Sequence, residues 1–350
     1  MGSHAHFWEV VTLTGVLTTK KITQVEDSPK AFLQRPAFSA RELMAQNFPP
    51  VQEVVSGLIP TGLTLLVAAP KIGKSWLMLQ LAYIAASGGM FLDRLPVAAR
   101  PVLYMAMEDG PRRLQRRMIR LGYTTPPDNL DFVVKTTDPL EDMRLFCELN
   151  RESQPLIILD TLAKFRPFVP RQKGETEYDR DSHVMELLKN LIDDYDGGAL
   201  IVVHHTRKME SDDFVSTVSG SNGSSGIADV TMRLNRARKR TEGTLELTGR
   251  DVGEGEYKVD YDGDTGMWRL CGNSLAEAAR AAEEFNTNRN VSDCRTAIVG
   301  FVNEMGAPVN ARMVANKFAI PYSTAASTLQ RAADAGDITK TARGQYQKCS

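Results

Sequence analysis

Cysteine is scarce in this chain of 350 residues: four, at positions 147, 271, 294 and 349, with no C-x-x-C pair among them. That scatter excludes a disulfide scaffold, argues against a structural zinc site and fits a reduced, cytoplasmic setting. Net charge is nearly absent as well, 42 Lys and Arg against 43 Asp and Glu. Any attraction for nucleic acid therefore has to come from a local patch rather than from the whole chain. No apolar run approaches the ~18 residues of a membrane span. The N-terminus lacks the basic start and apolar core of a secretory leader, and no internal repeat points to a solenoid. What is present is an ordinary globular composition, 42% hydrophobic and 24% charged, in a chain long enough for two or three folded units.

The most telling stretch is Leu65-Leu66-Val67-Ala68-Ala69-Pro70-Lys71-Ile72-Gly73-Lys74-Ser75. A short apolar run enters a small-residue loop, and an apolar-periodic helix is expected from Trp76 to Ser87. Strand, loop and helix in this order make a phosphate-binding loop. Backbone N–H groups of Ala69, Pro70-Lys71-Ile72, Gly73, Lys74, Ser75 and Trp76 (proline excepted) surround a polyphosphate at a helix N-terminus, where unpaired N–H groups favour anions. Lys74 is expected to reach the β- and γ-phosphates, and the Ser75 hydroxyl to bind Mg²⁺. One departure stands out. Ala68 occupies the place of the first glycine in G-x-x-x-x-G-K-[ST]. The competing explanation is a chance Gly-Lys-Ser turn.

Around this loop the pattern is α/β. Buried strands are predicted at Leu63–Ala68, Val102–Met107, Leu156–Leu159 and Ala199–His204, each a short apolar run suited to a parallel sheet covered on both faces. Helices are predicted at Pro111–Leu121, Leu140–Arg151 and Asp181–Tyr195. From Asp229 the chain turns to strands with glycine-punctuated turns, expected as antiparallel additions at the sheet edge. Residues 1–37 show weak periodicity and are expected to form a poorly ordered arm. Residues 38–272 form the α/β domain, 273–290 a linker helix, and 291–350 a separate unit of three short helices and a small hairpin, the pattern of a winged helix-turn-helix. This last unit carries seven Lys and Arg against four Asp and Glu. Its final helix opens on Ser323-Thr324-Ala325-Ala326-Ser327-Thr328, small residues that permit close approach to a DNA groove. A protein-binding winged helix is the alternative.

Three strand ends carry further chemistry. Asp160 follows Leu156-Ile157-Ile158-Leu159 and is expected to hold Mg²⁺; a plain helix cap is the alternative. Glu108, after the strand ending at Met107, is placed to orient and deprotonate the attacking water. Asp109 is expected to cap the helix beginning at Pro111. His204 and His205 end the fourth strand, where one can sense the γ-phosphate while the other points into the core. The polar, Gly/Ser-rich stretch Met209–Gly226 has the composition of a substrate-binding loop. Arg112, Arg113, Arg116, Arg117 and Arg120 share one helix, read as a solvated face or as a nucleic-acid or subunit contact.

Taken in order, Pro70-Lys71-x-Gly73-Lys74-Ser75-Trp76, Leu103-Tyr104 with Glu108-Asp109, Leu159-Asp160-Thr161-Leu162-Ala163, His204-His205-Thr206-Arg207-Lys208 and Thr248-Gly249-Arg250-Asp251 resemble the RecA-like ATPases of the plasmid RepA replicative-helicase type, found in phages, plasmids and prophages. The likeness spans about residues 38–270 of this sequence. It implies a RecA-like core, ATP hydrolysis with Mg²⁺, and assembly as a homo-oligomeric ring, often a hexamer, around single-stranded DNA. By motif it makes Lys74 and Ser75 the phosphate and Mg²⁺ contacts, Glu108 the base, Asp160 the metal acid, and His204 or His205 the sensor. Arg250, with Arg207 as second choice, becomes an arginine finger given to the neighbouring subunit's ATP. The expected activity is that of a DNA-acting motor, a replicative helicase or helicase-like initiator whose tail finds duplex DNA. A rival from another class is an ATP-switched DNA-binding regulator or partition-like protein that unwinds nothing. A third is a recombinase-like filament former.

Overall fold

The computed structural model describes residues 8–13, 16–21, 39–47, 53–205, 226–250 and 252–349, with the main chain alone for 8–21 and 288–293. The chain divides into two compact units at Pro50. In the first, Trp8–Leu13 and Val16–Lys21 pair as antiparallel strands, Trp8 opposite Lys21 and Leu13 opposite Val16. These two strands lie within the stretch 1–37, which the sequence leads one to expect as a poorly ordered arm. Its Val and Thr content favours strands, but the polar threonines and lysines hide the alternation. A short helix, Ala40–Met44, starts after Ser39. The Ser39 hydroxyl accepts from the Glu42 N–H (3.2 Å) and the Ser39 N–H donates to the Glu42 carboxylate (2.6 Å), a reciprocal cap.

The second unit is built on one nine-stranded sheet. Its strands are β1 (Gly62–Ala68), β2 (Val102–Ala106), β3 (Leu130–Val133), β4 (Leu156–Asp160), β5 (Ala199–His205), β6 (Val230–Arg236), β7 (Glu242–Gly249), β8 (Gly255–Tyr261) and β9 (Trp268–Leu270). They lie in the order β9-β8-β7-β6-β1-β5-β4-β2-β3. From β6 to β3 all neighbours are parallel, while β7, β8 and β9 continue antiparallel. The strand at 230–236 therefore joins the parallel part beside β1, a correction to the expectation that every strand after Asp229 is antiparallel.

The unbroken apolar runs have a simple cause: both faces are covered. Successive residues of a strand point to opposite faces, and here each face has its own core. Leu66 and Ala68 of β1 with Leu156 and Ile158 of β4 meet helices α1 (Lys74–Ser87) and α2 (Pro111–Arg120). Leu63, Leu65 and Val67 with Ile157 and Leu159 meet α3 (Pro139–Leu149) and α4 (Glu177–Asp193).

The predicted linker helix and the first helix of the tail are a single helix, α5 (Leu275–Glu304), opened by Ser274 accepting from the Glu277 N–H (3.2 Å). No proline interrupts this stretch, and the helix runs on through the boundary expected after residue 290. Ala278 and Ala282 are buried in its first half. Ile298 and Val302 of its second half enter a third core with α6 (Ala311–Phe318), α7 (Tyr322–Asp334) and the hairpin Ile338–Ala342/Gln345–Lys348. Among the described residues, no helix is long and apolar enough to cross a membrane.

Candidate active site

Strands β1, β2, β4 and β5 deliver their last residues to one edge of the sheet, and the chemistry sits there. Ala68, the residue in place of the expected glycine, is the final residue of β1. It is paired with His205 of β5 on one side and Leu234 of β6 on the other. It is extended backbone inside a sheet, so it needs no glycine. The turn follows it, with Lys71 (φ 67°) and Gly73 (φ 108°) in the left-handed region. Glycine alone takes the latter without steric cost, and a Cβ at Gly73 would meet the Trp268 ring at 3.0 Å.

Lys74, 4% exposed, turns its ammonium back over the loop. It donates to the carbonyls of Ala69 (3.0 Å) and Ala68 (3.4 Å), and lies 2.8 Å from His205 Nδ1. All three ammonium protons are thereby engaged. Burial pushes its pKa down to about 8, against the opposing pull of Asp160 and Glu108. With Lys74 donating to Nδ1, the His205 proton sits on Nε2, which faces Glu108 Oε2 at 3.5 Å. The other Glu108 oxygen accepts from the Thr161 hydroxyl (3.0 Å). Glu108 is otherwise exposed.

Asp160 is 4% exposed and accepts from the Tyr104 hydroxyl (2.9 Å). Burial raises its pKa, while hydrogen bonds from Ser75 and Tyr104 hold it down. Ser75 and Asp160 thus present adjacent hard oxygens, one on a buried carboxylate that a cation would compensate, and they fit Mg²⁺. Among the described residues no group of three or more His, Cys, Asp or Glu could hold a metal ion. The pair therefore suits a metal whose remaining ligands are water and substrate phosphates.

Lys74, Ser75, Glu108, Asp160 and His205 come together. Two other expectations, His204 and Arg250, do not join them. His204 points to the opposite face, in register with Val67, and its Nδ1 is buried without a partner among the described residues. Arg250 is exposed at the far end of the sheet. It follows Gly249, which pairs with Val230, which in turn pairs with Thr64 near the start of β1. From there to Ala68 is about 13 Å of strand, so Arg250 does not reach this chain's own phosphate loop; its guanidinium donates to the Gly226 carbonyl (2.9 Å). Arg207 and most of the Met209–Gly226 loop lie outside the described residues.

Asp109 does not cap α2. The cap position is Gly110, and Asp109 instead pairs with Arg113 (2.8 Å) and Arg117. Nor are the five arginines of α2 simply solvated. Arg117 and Arg120 lie over the Trp76 ring (5.5 and 5.3 Å), while Arg112 and Arg116 remain exposed. Sequence reasoning overlooked Thr161 and Tyr104. Thr161 could have been found as the first hydroxyl after the Asp160 strand; Tyr104, inside an apolar run, reads as core.

Burial, reinforced by His205, Arg166 and Lys74, pushes the His204 pKa down to about 4 from 6.5. Between those values the unfolded chain binds a proton that the folded chain refuses. Stability therefore falls as pH drops through this window, by up to about 3 kcal/mol from this ring. Urea unfolding at pH 7 and pH 4.5 is expected to show a smaller loss for His204→Gln than for the wild type. Equal losses would remove His204 as the source.

The AAA domain family matches residues 29–211, a segment that ends before β6 to β9. Among curated proteins none matches the chain. Among solved structures, the KaiC-like protein PH0186 from the hyperthermophilic archaeon Pyrococcus horikoshii OT3 aligns over 64% of this chain and 100% of its own, with 15% identity and a TM-score of 0.43. Matched over more than half its length, the chain belongs to the AAA domain family of P-loop ATPases.

Proposed function

We propose that this protein is an ATP-hydrolysing, ring-forming motor on DNA, a RecA-like replicative helicase or helicase-like initiator of a phage, plasmid or prophage, acting in the cytoplasm. The observation that carries the reading is the division of the chemistry between two edges of one sheet. Phosphate, metal and base residues meet at the carboxyl ends of the parallel strands, while Arg250 stands at the other end. If Arg250 is an arginine finger, it serves the ATP of a neighbouring copy, and turnover then depends on assembly, a hexamer being favoured.

In this reading the N–H groups of the loop and Lys74 hold the phosphates, and Ser75 and Asp160 hold Mg²⁺. The metal supplies charge neutralisation of the transferring phosphoryl group. Thr161 and His205 fix Glu108, which takes the proton of the attacking water. The core tracks single-stranded DNA, and the tail acts as a winged helix on duplex DNA. Exposed Ser323, Thr324 and Ser327 on the first turns of α7, and the surplus of Lys and Arg in residues 291–350, support that role.

The test is the ATPase rate with and without single-stranded DNA, alongside the mass of the assembly and strand separation on a forked substrate. Stimulation by DNA, a multi-subunit mass and unwinding are expected. Arg250→Ala is expected to keep nucleotide binding and lose hydrolysis; wild-type turnover there would remove it as the finger. ATP-dependent DNA binding without strand separation favours the regulator instead, and open filaments in electron micrographs favour a recombinase-like protein.

A further inference from the structure

The phosphate loop is gripped from outside by strands that the family match does not include. Arg236, the last residue of β6, donates from Nε to the Ile72 carbonyl (3.0 Å). Trp268, the first residue of β9, donates from Nε1 to the Gly73 carbonyl (3.1 Å). Neither group is free to wander. The Arg236 guanidinium lies over the Tyr261 ring at 4.4 Å and near the Trp268 ring at 5.8 Å. Trp268 is fully buried, and the Gln80 amide of α1 brackets its backbone, accepting from its N–H and donating to its carbonyl, both at 3.0 Å. One turn earlier Trp76 is pinned in the same way: Gly266, before β9, packs so closely on its ring that a Cβ there would lie 2.2 Å from it. The β6–β9 part of the sheet thus holds α1 and its loop at Ile72, Gly73, Trp76 and Gln80.

The consequence follows from peptide geometry. In a trans peptide the carbonyl of one residue and the N–H of the next point in opposite directions. Holding the Ile72 carbonyl outward turns the Gly73 N–H inward, and holding the Gly73 carbonyl does the same for the Lys74 N–H. The second peptide is also fixed by the helix, since the Gly73 carbonyl accepts from Leu77 (3.1 Å). The first has Arg236 as its side-chain holder.

We propose that Arg236 and Trp268 are positioning residues of the phosphate loop. Acting through the carbonyls of Ile72 and Gly73, they preset two inward N–H donors, so that affinity for a polyphosphate depends on the antiparallel extension of the sheet. The inference rests on the reading of this loop as a nucleotide site. Neither residue touches substrate, and neither is a catalytic residue.

Three substitutions separate positioning from bulk stability. Trp268→Phe keeps a buried ring and removes the donor. Arg236→Met keeps an unbranched stem and removes the donor, whereas Arg236→Lys keeps a cationic donor. The measurement is equilibrium binding of ADP and of AMP, with steady-state ATP hydrolysis. Losing one aimed hydrogen bond is expected to weaken ADP about five- to tenfold while AMP, which lacks the β-phosphate, changes less than twofold. KM for ATP rises with kcat nearly unchanged, and Arg236→Lys recovers most of the ADP affinity. Equal losses for ADP and AMP, or ADP affinity within twofold of wild type in both donor-deleting variants, overturn the proposal. So does failure of both variants to unfold cooperatively, since the residues would then be structural supports. A wild-type protein that binds neither nucleotide overturns the underlying reading of the site as well, and is told apart by that control.

Discussion

Glu108→Gln is expected to bind ATP as the wild type does and to hydrolyse it about 10²- to 10⁴-fold more slowly, the usual range for losing a positioned general base. The substitution is close to isosteric, and the surroundings of Glu108 make it informative. The Thr161 hydroxyl donates to one carboxylate oxygen at 3.0 Å, and His205 Nε2 faces the other at 3.5 Å. The Gln carbonyl can keep the Thr161 contact. What is lost is the second oxygen as a proton acceptor. Rapid-quench hydrolysis together with retention of labelled ATP on a filter separates the two steps. Bound ATP that persists for minutes is the expected signature, and full turnover would reassign the base.

The second large effect is at Lys74. Lys74→Ala is expected to reduce hydrolysis at least about 100-fold, the scale on which removal of an electrostatic stabiliser acts, and to weaken nucleotides in proportion to their phosphates. It is not expected to unfold the protein. The ammonium is desolvated, with its pKa pushed down to about 8 by burial, so the folded chain bears a cost for keeping it charged that alanine does not. The same depression has a sign in binding. Above pH 8 the free protein loses the Lys74 proton, and an anionic phosphate must restore it, so ADP affinity of the wild type falls as pH rises beyond that point. In Lys74→Ala this slope disappears. Calorimetric titration at pH 7 and pH 9 measures both. A variant with wild-type ADP affinity would place the phosphates elsewhere.

The site residues legible in the sequence were those at the ends of fully buried strands. Asp160 and Glu108 each follow an unbroken apolar run, the two histidines together end another, and the period-2 alternation of a strand left only one of them able to face Lys74. Asp109 misled because a carboxylate before Pro111 has the local signature of a cap, whereas arginines one and two turns along α2 compete for it. Arg236 and Trp268 carry no local signature at all. They lie 164 and 195 residues from the carbonyls they hold, and each reads as an ordinary strand residue until the sheet is closed. Also without a clear local signature are β3, where Asp131 interrupts a four-residue, half-buried edge strand, and the hairpin Gly89–Phe91/Leu95–Val97, whose strands are too short to show a period.

The position of β1 in the sheet also sets a timetable. Its two partners are β5, beginning at Ala199, and β6, beginning at Val230. When β1 leaves the ribosome neither has been translated, and six of its seven residues are of the kind the finished fold buries completely. Pairings of such long sequence separation form late, and unpaired apolar strands are what nascent chains aggregate through. The phosphate cradle therefore takes shape only after β5 and β6 have emerged. Until Arg236 and then Trp268 have emerged, a nascent chain has the motif without the two side chains that hold the Ile72 and Gly73 carbonyls.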